Sequence, residues 1–198
     1  MKLVESSRTR VQGYVIFGNG RGDERIFGAI SSKFDDKIAI SNPLLSHETG
    51  LYAAFKSIAK LTELVSSPSR YIIVIDREHM DENNLRSFAG EHGFELQDLG
   101  KLNEFAYLLE VKRGGRVADI YIAVSGFERS IEENISKLIE ERYGEKVEPS
   151  KGAIKSWLKG KNMRDKDLIE GASKEALERS FPGIVAVIRR FIEMVGSD

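Results

Sequence analysis

Three groups of acidic residues are the side chains in this sequence best suited to chemistry, because each group follows a short apolar run. The groups are Asp23 with Glu24, Asp76 with Glu78, and Glu128 with Glu132 and Glu133. Carboxylate oxygens are the ligands that Mg²⁺ prefers, with water and phosphate oxygens completing its coordination. Ligands of open α/β sheets bind at the carboxyl ends of the strands, so these acids predict a magnesium site that hydrolyses or transfers phosphate esters.

The same acids also have a purely structural interpretation. An acid in the first turn of a helix stabilises the positive end of the helix dipole, and Asp23 and Glu24 both fall at such a position. Asp76 fits this interpretation less well, because an acid at the end of a fully apolar strand gains little from its neighbours. The sequence leaves both interpretations open.

Basic residues gather in the last quarter of the chain. Residues 151–166 hold six of them against a single acid, around the sole tryptophan, Trp157. Lys151, Lys155 and Lys159 recur every four residues and therefore share one face of a helix. Such a face can contact phosphates, and Lys151 or Lys155 can stabilise the charge that develops during phosphoryl transfer. The alternative is a solvated helix face with Trp157 turned into the core.

A glycine-rich loop precedes the first acidic group. The backbone N–H groups of Gly20, Arg21 and Gly22 can form an anion-binding nest at the start of a helix, and the Arg21 side chain adds positive charge. This is not a Walker sequence, because no Lys-Ser/Thr pair follows the glycines. The loop predicts either a phosphate-binding site or a structural turn.

The elements that would position these residues follow from the hydrophobic pattern. Apolar runs alternate with amphipathic stretches over the first two-thirds of the chain, which is typical of an α/β fold. The predicted strands are residues 11–17, 37–41, 71–75, 105–111 and 117–124, the last two joined as a β-hairpin by Gly114 and Gly115. Helical spacing predicts helices after Asp23, after Ser46 as N-cap, around residues 85–89, over 130–143, and from Pro182 onward.

We predict an α/β core in residues 1–148 and a helical extension in residues 149–198 that packs on it as one structural unit. The composition changes after Pro149, and the apolar face of the final helix needs a partner surface. That face can serve a dimer as readily as an intramolecular core, so the sequence leaves a homo-oligomer open.

Composition narrows the class of protein and of metal site. The 198 residues carry a net charge of −1 and are 41% hydrophobic, as in globular proteins, and the absence of cysteine means that any metal should be held by oxygen. No apolar stretch approaches the ~20 residues that span a bilayer, so we expect no membrane contact and a cytoplasmic location. Heavy use of both charge signs with only two glutamines favours a thermophilic source.

The order of these motifs resembles the Toprim domain of primases, topoisomerases, OLD-type nucleases and small stand-alone proteins. The first Toprim motif, V-E-G-x-x-D-E, is similar to residues 18–24 (GNGRGDE), and the later Asp-x-Asp motif is similar to residues 76–78 (DRE). Two elements of the stand-alone families, a Gly-x-x-E-like turn and a late Lys-x-x-x-Lys-x-Trp-Leu run, resemble residues 126–133 and 151–158.

The resemblance implies a Rossmann-like, mostly parallel sheet flanked by helices, and a Mg²⁺-dependent nuclease or phosphodiesterase acting on nucleic acid or nucleotides. It implies metal ligands among Asp23, Glu24, Asp76, Glu78, Glu128 and Glu132, with Lys151 or Lys155 on the phosphate. Asn19 stands where Toprim enzymes have their first glutamate, and an amide supplies neither charge nor a base. This departure keeps a second hypothesis open, a non-catalytic binding module in which the acids serve as helix caps.

Overall fold

A computed structural model describes residues 1–4, 11–19, 21–43, 49–65 and 69–197 of the chain. The strands are β1 (Lys2–Val4), β2 (Gly13–Phe17), β3 (Ala39–Ser41), β4 (Arg70–Asp76), β5 (Glu95–Asn103), β6 (Ala106–Arg113) and β7 (Arg116–Ser125). The helices are α1 (Arg21–Phe34), α2 (Leu51–Leu64), α3 (Leu85–Glu91), α4 (Ile131–Tyr143), α5 (Lys151–Gly160), α6 (Asp165–Glu170), α7 (Lys174–Ser180) and α8 (Pro182–Gly196). A 3-10 turn, Arg77–His79, follows β4.

The strands form one mixed sheet in the order β1-β3-β2-β4-β7-β6-β5. The pairs from β1 to β7 are parallel, whereas β6 pairs antiparallel with both β7 and β5. The predicted α/β class and the hairpin of β6 and β7 are therefore confirmed. The hairpin turns at Gly114 and Gly115, whose φ angles of 55° and 81° are the positive values that a two-residue hairpin turn requires.

Both faces of the sheet are covered, and β4 shows this most clearly. Ile72 and Val74 belong to a core shared with α1, α4 and α8, whereas Tyr71, Ile73 and Ile75 belong to a core shared with α2 and α3. A strand buried on both faces carries apolar residues at every position instead of alternating with polar ones. This explains why residues 71–75 are the most strand-like run of the sequence.

Helices α5–α8 share the first of these cores with the sheet. Phe191 of α8 is fully buried, and its ring lies 5.6 Å from the ring of Tyr121 on β7. A side chain at Gly13 on β2 would come within 2.6 Å of the Phe191 ring, so α8 lies directly on the central strands.

Two strands and one helix start differ from the sequence prediction. The pattern did not reveal β1, which is only three residues long, or β5, whose residues are mostly half-buried or exposed and polar. Helix α2 begins at Leu51, and Ser46, its predicted N-cap, lies outside the described residues. Within the described ranges, the structure contains no helix whose length and apolar character would let it cross a membrane.

Candidate active site

The chain connections reverse direction between the paired central strands β2 and β4. From β2 the chain continues through α1, on one face of the sheet, to β3, and it returns through α2, on the other face, to β4. Such a reversal of strand order opens a crevice outside the strand ends, where ligands of doubly wound sheets bind. Asn19 follows β2, Asp23 lies in the first turn of α1, and Asp76 is the last residue of β4.

A cavity of about 910 Å³ occupies this crevice. Its acidic and amide lining residues are Asn19, Asp23, Asp76, Glu132, Asn162, Asp165 and Asp167. Its basic lining residues are Arg25, Lys151, Lys155, Lys159 and Arg164. Its apolar lining residues are Ile26, Ile131, Ile135, Ile154, Leu158 and Met163. The cavity thus brings residues from the first, second and third acidic groups together with the lysines that the sequence placed on one helix face.

Asp76 is buried, with 8% of its surface exposed, although it ends a strand. Its Oδ1 accepts a hydrogen bond of 3.0 Å from the backbone N–H of Ile131, at the start of α4. Burial and, after it, the negative charge of Asp23 raise the pKa of Asp76 to about 7. The carboxylate is therefore held in place by one helix, and no described residue compensates it with an ion pair.

Asp23 is the second buried aspartate of the cavity, with 6% of its surface exposed. Burial is the main reason that its pKa is raised to about 6. The hydrogen bond from Asn19 and the positive charge of Lys151 lower the pKa, and the Glu132 charge raises it. The Asn19 Nδ2 donates to the Asp23 Oδ2 over 3.3 Å. The Asn19 Oδ1 is buried without a hydrogen-bond partner among the described residues, so an acceptor is left unsatisfied in the lining.

Glu132 is the third buried acid, and it differs from the two aspartates because it is paired. Its Oε2 accepts a hydrogen bond of 2.6 Å from the Ser130 hydroxyl, and its Oε1 lies 3.8 Å from the Lys151 Nζ. Lys151 is mostly exposed, so this ion pair contributes little to stability. Its effect is to hold a lysine ammonium group beside the acids.

Most charged side chains of the lining form ion pairs with other described residues, and four do not. Arg25 pairs with Asp165 at 3.5 Å, and Arg164 forms two hydrogen bonds with Asp167. After these pairs and that of Glu132 with Lys151, two acids and two bases remain without an ion pair in the described part of the chain. They are Asp23 and Asp76, and Lys155 and Lys159. The cavity therefore has unmatched negative charge in its buried part and unmatched positive charge on exposed lysines.

Four of the acids that the sequence singled out do not line this cavity. They are Glu24, Glu78, Glu128 and Glu133. Glu78 lies 3.7 Å from Arg129 and 3.9 Å from His79, and Glu128 is exposed on the loop before α4. Across residues 1–4, 11–19, 21–43, 49–65 and 69–197, no three His, Asp or Glu side chains meet as a preformed metal cluster.

Glu133 has a structural role. Its Oε2 accepts hydrogen bonds from the backbone N–H groups of Phe127, Glu128 and Arg129, at 2.7, 2.8 and 3.1 Å. It thereby holds the loop between β7 and α4, which carries Glu128 away from the cavity. Glu132 and Glu133 are adjacent in the chain, yet Glu132 lines the cavity and Glu133 holds the loop.

The glycine loop lies partly outside the described residues: Gly20 and the side chain of Arg21 are not among them, and Gly22 forms part of α1. The predicted phosphate nest at Gly20, Arg21 and Gly22 therefore stays a prediction.

Trp157 faces away from the lysines of α5. Its Nε1 donates a hydrogen bond of 2.7 Å to Glu145, and its ring packs edge-on against Tyr143 at 5.1 Å. Trp157 is half-buried against the core. A tryptophan turned toward the core is therefore compatible with lysines that face the cavity on the other side of the helix.

No family model, curated protein or solved structure matches this chain. The likeness to Toprim domains therefore rests on the motifs alone, and the function has to be argued from the geometry of the cavity. Sequence reasoning missed Arg25, Asp165 and Asp167 as lining residues. Charged residues at such positions are usual on solvated helix faces, and no spacing distinguishes these three.

Proposed function

We propose that the cavity binds Mg²⁺ and that the protein is a Toprim-like, metal-dependent phosphodiesterase acting on nucleic acid or nucleotide phosphates. The observation that carries this proposal is the pair of buried carboxylates, Asp23 and Asp76, because the Asp23 charge opposes ionisation of Asp76 and neither forms an ion pair with a described residue. Two buried like charges are costly unless a proton or a cation compensates them. A divalent cation is the group that best satisfies this pair.

The donor set fits Mg²⁺. Magnesium sites in proteins commonly use one or two carboxylates and keep several waters, and phosphate oxygens of the substrate complete the octahedron. Asp23 and Asp76 supply the two carboxylates, and the unpartnered Asn19 Oδ1 supplies a third oxygen. Asn19 therefore fits a metal site as a neutral ligand, although it cannot replace the charge of a glutamate.

The other side chains of the cavity suit a phosphate ester. When bound, Mg²⁺ neutralises phosphate charge and makes a bound water more acidic. Lys155 and Lys159 are positioned to bind the phosphate oxygens, and Lys151, held beside Glu132, stabilises the negative charge that develops as the ester bond breaks. The hydrogen bond from the Ile131 N–H fixes the orientation of the Asp76 carboxylate, which would serve as a metal ligand.

A nuclease assay on linear DNA and RNA, which offer strand ends, with Mg²⁺ or Mn²⁺ tests this proposal. Wild-type protein is expected to cleave, EDTA to abolish cleavage, and Asp76→Asn to reduce the rate by at least about a hundredfold, because the variant keeps the hydrogen-bond acceptor but loses the charge. Asp98→Asn, on an exposed residue of β5, is the matched control and should cleave normally. Cleavage that persists in Asp76→Asn would contradict the assignment.

A non-catalytic Toprim-like binding module is the second candidate. It is favoured by the hydrogen bond from Ile131 to Asp76, because Ser130, the N-cap residue of α4, makes no side-chain cap and Asp76 takes over that function from another element. Asn19 in place of a glutamate also favours it. Titration of Mn²⁺ followed by electron paramagnetic resonance separates the two candidates, since a purely structural Asp76 predicts equal Mn²⁺ binding by wild type and Asp76→Asn.

A further inference from the structure

The apolar part of the cavity lining points to the substrate class. Ile26, Ile131, Ile135, Ile154 and Leu158 all line the cavity, and apolar atoms make up the larger part of its accessible surface. Surfaces that contact only the sugars and phosphates of a polynucleotide are polar and strongly basic. A site with this much aliphatic surface is suited to a ligand that has an apolar group of its own.

The lining lacks the features of a single-strand channel. None of its described side chains is aromatic, whereas proteins that bind single strands stack successive bases on aromatic rings. The tryptophan of α5 is turned away and hydrogen-bonded to Glu145. The volume of about 910 Å³ lies within the range of about 300–1,000 Å³ usual for small-molecule sites.

The charges of the lining also disfavour a long polyanion. Asp165 and Asp167 line the cavity and are neutralised by Arg25 and Arg164, and Glu132 pairs with Lys151. Among the described lining residues this leaves Lys155 and Lys159 as unmatched bases. Two unmatched lysines suit one or two phosphate groups. A strand that continued across the cavity would bring further phosphates against acidic side chains.

We infer that the substrate is a small phosphate ester of about mononucleotide size, whose phosphate is held by Lys155 and Lys159 and whose apolar group lies on the aliphatic lining. This inference rests on the proposed function, since it concerns the substrate of the same site. It excludes an interior segment of a continuous nucleic-acid strand as the preferred ligand.

Calorimetric titration with adenosine 5′-monophosphate and with ribose 5-phosphate, both in Mg²⁺, tests the contribution of the apolar group. The nucleotide is expected to bind about tenfold more tightly or better, because only its base covers the aliphatic lining. Equal affinity for the two ligands would overturn the inference.

Met163→Trp offers a second test, because Met163 is a half-buried lining residue and a larger side chain there narrows the cavity. The variant should weaken nucleotide binding by about tenfold and leave ribose 5-phosphate binding unchanged. Leu64→Trp, on α2 across the sheet and 73% exposed, is the matched control and should change neither. Unchanged nucleotide binding in a folded Met163→Trp protein would count against the inference.

Hydrolysis distinguishes failure of this inference from failure of the proposed function. With Mn²⁺, bis(p-nitrophenyl) phosphate should be hydrolysed and closed circular single-stranded DNA should stay intact. Cutting of the circle at an equal or higher rate overturns the substrate class and leaves the phosphodiesterase proposal standing. If neither substrate reacts and Mn²⁺ does not bind, the proposed function fails. The relative affinities for adenosine 5′-monophosphate and ribose 5-phosphate then decide by themselves which class of ligand the cavity binds.

Discussion

Asp76 is bound by the backbone of one helix and repelled by a carboxylate on another. The Ile131 N–H fixes its Oδ1, while burial and the Asp23 charge raise its pKa to about 7. Carboxylates must be deprotonated to bind a metal, so metal binding at this site competes with protons near neutral pH. We expect the affinity for Mg²⁺ to rise as the pH increases through about 7 and to level off once Asp76 is deprotonated.

The raised pKa of Asp76 predicts how Asp76→Asn changes stability. Between about pH 4 and pH 7 the folded state keeps a proton that the unfolded chain has released, so the free energy of unfolding of the wild type falls as the pH rises through this window. Asparagine removes this loss and keeps the acceptor for Ile131. At pH 8 without metal, the variant should be more stable by on the order of 2 kcal/mol, and the difference should vanish near pH 4.

Urea denaturation at pH 4, 6 and 8 measures this effect, with Asp98→Asn as the control whose stability should follow that of the wild type at each pH. Addition of Mg²⁺ at pH 8 should stabilise the wild type and leave Asp76→Asn unchanged, because a ligand that binds only the folded state raises its stability. An Asp76→Asn protein that is less stable than wild type at pH 8 would show that the carboxylate is compensated in some other way.

At the scale of elements, α5 uses two of its faces differently. Lys155 lies on the face that lines the cavity, whereas Lys161, just after the helix, pairs with Glu145 at 2.6 Å on the side of Trp157. The two lysines therefore form a matched pair, equal in charge and different in position.

Lys155→Gln is expected to weaken binding of adenosine 5′-monophosphate by about three- to tenfold, whereas Lys161→Gln should change it less than about twofold. The dependence of affinity on salt should also become shallower in Lys155→Gln, because a phosphate contact is lost. Titrations at several salt concentrations measure both effects. Equal effects of the two substitutions would indicate attraction by the general charge of the region.

The loop between β7 and α4 is the second element on which the site depends. Gly126 has a φ of 84°, and a side chain there would clash with the backbone nitrogen of Ser130. The loop is also held by the side chains of Glu133 and Asn134, which accept hydrogen bonds from its N–H groups. It places the N-terminus of α4, and with it Ile131 and Glu132, beside Asp76.

Gly126→Ala should therefore destabilise the protein by about 2 kcal/mol or more. Gly28→Ala is the matched control, because Gly28 lies within α1 with open space around the position of its missing side chain. That control should gain about 0.5–1 kcal/mol, since alanine is the better helix former. Denaturation midpoints measure both, and an unchanged midpoint in Gly126→Ala would show that the loop can relax.

At the scale of the whole molecule, the helices after residue 150 are part of the main core. Phe191 on α8 packs against Tyr121 and closely over Gly13, so strands β2 and β7 are covered by the last helix of the chain. The cavity depends on the same arrangement, because its lining combines residues of α1 and α4 with those of α5 and the α6 region.

Phe191→Ala is expected to cost about 3–5 kcal/mol, the usual range for removing a buried phenylalanine ring. Trp157 fluorescence, which reports on α5, and far-ultraviolet circular dichroism, which reports on all elements, should show one common midpoint. Leu64→Ala, on an exposed residue, should stay within about 0.5 kcal/mol of wild type. Separate midpoints for the two probes would mean that the helical segment unfolds independently.

Most elements of this fold could be predicted from local pattern. The buried run at residues 71–75, the hairpin around Gly114 and the helix that begins at Pro182 all follow from hydrophobic period and turn chemistry. Strand β5 could not be predicted, because a polar edge strand lacks the alternation that marks a half-buried strand. It is held by pairing with β6, which is a long-range property.

The kind of chemistry available follows from local sequence, namely acids after apolar strands, lysines at helical spacing and, without cysteine, oxygen as the expected metal ligand. Which of these residues meet depends on how distant elements pack. Asp23 and Glu24 are adjacent in the chain, yet successive residues of a helix point about 100° apart, so only Asp23 lines the cavity. The raised pKa values of Asp23 and Asp76 are likewise tertiary, because they arise from burial and from acids of other elements, Glu132 beside Asp23 and Asp23 beside Asp76.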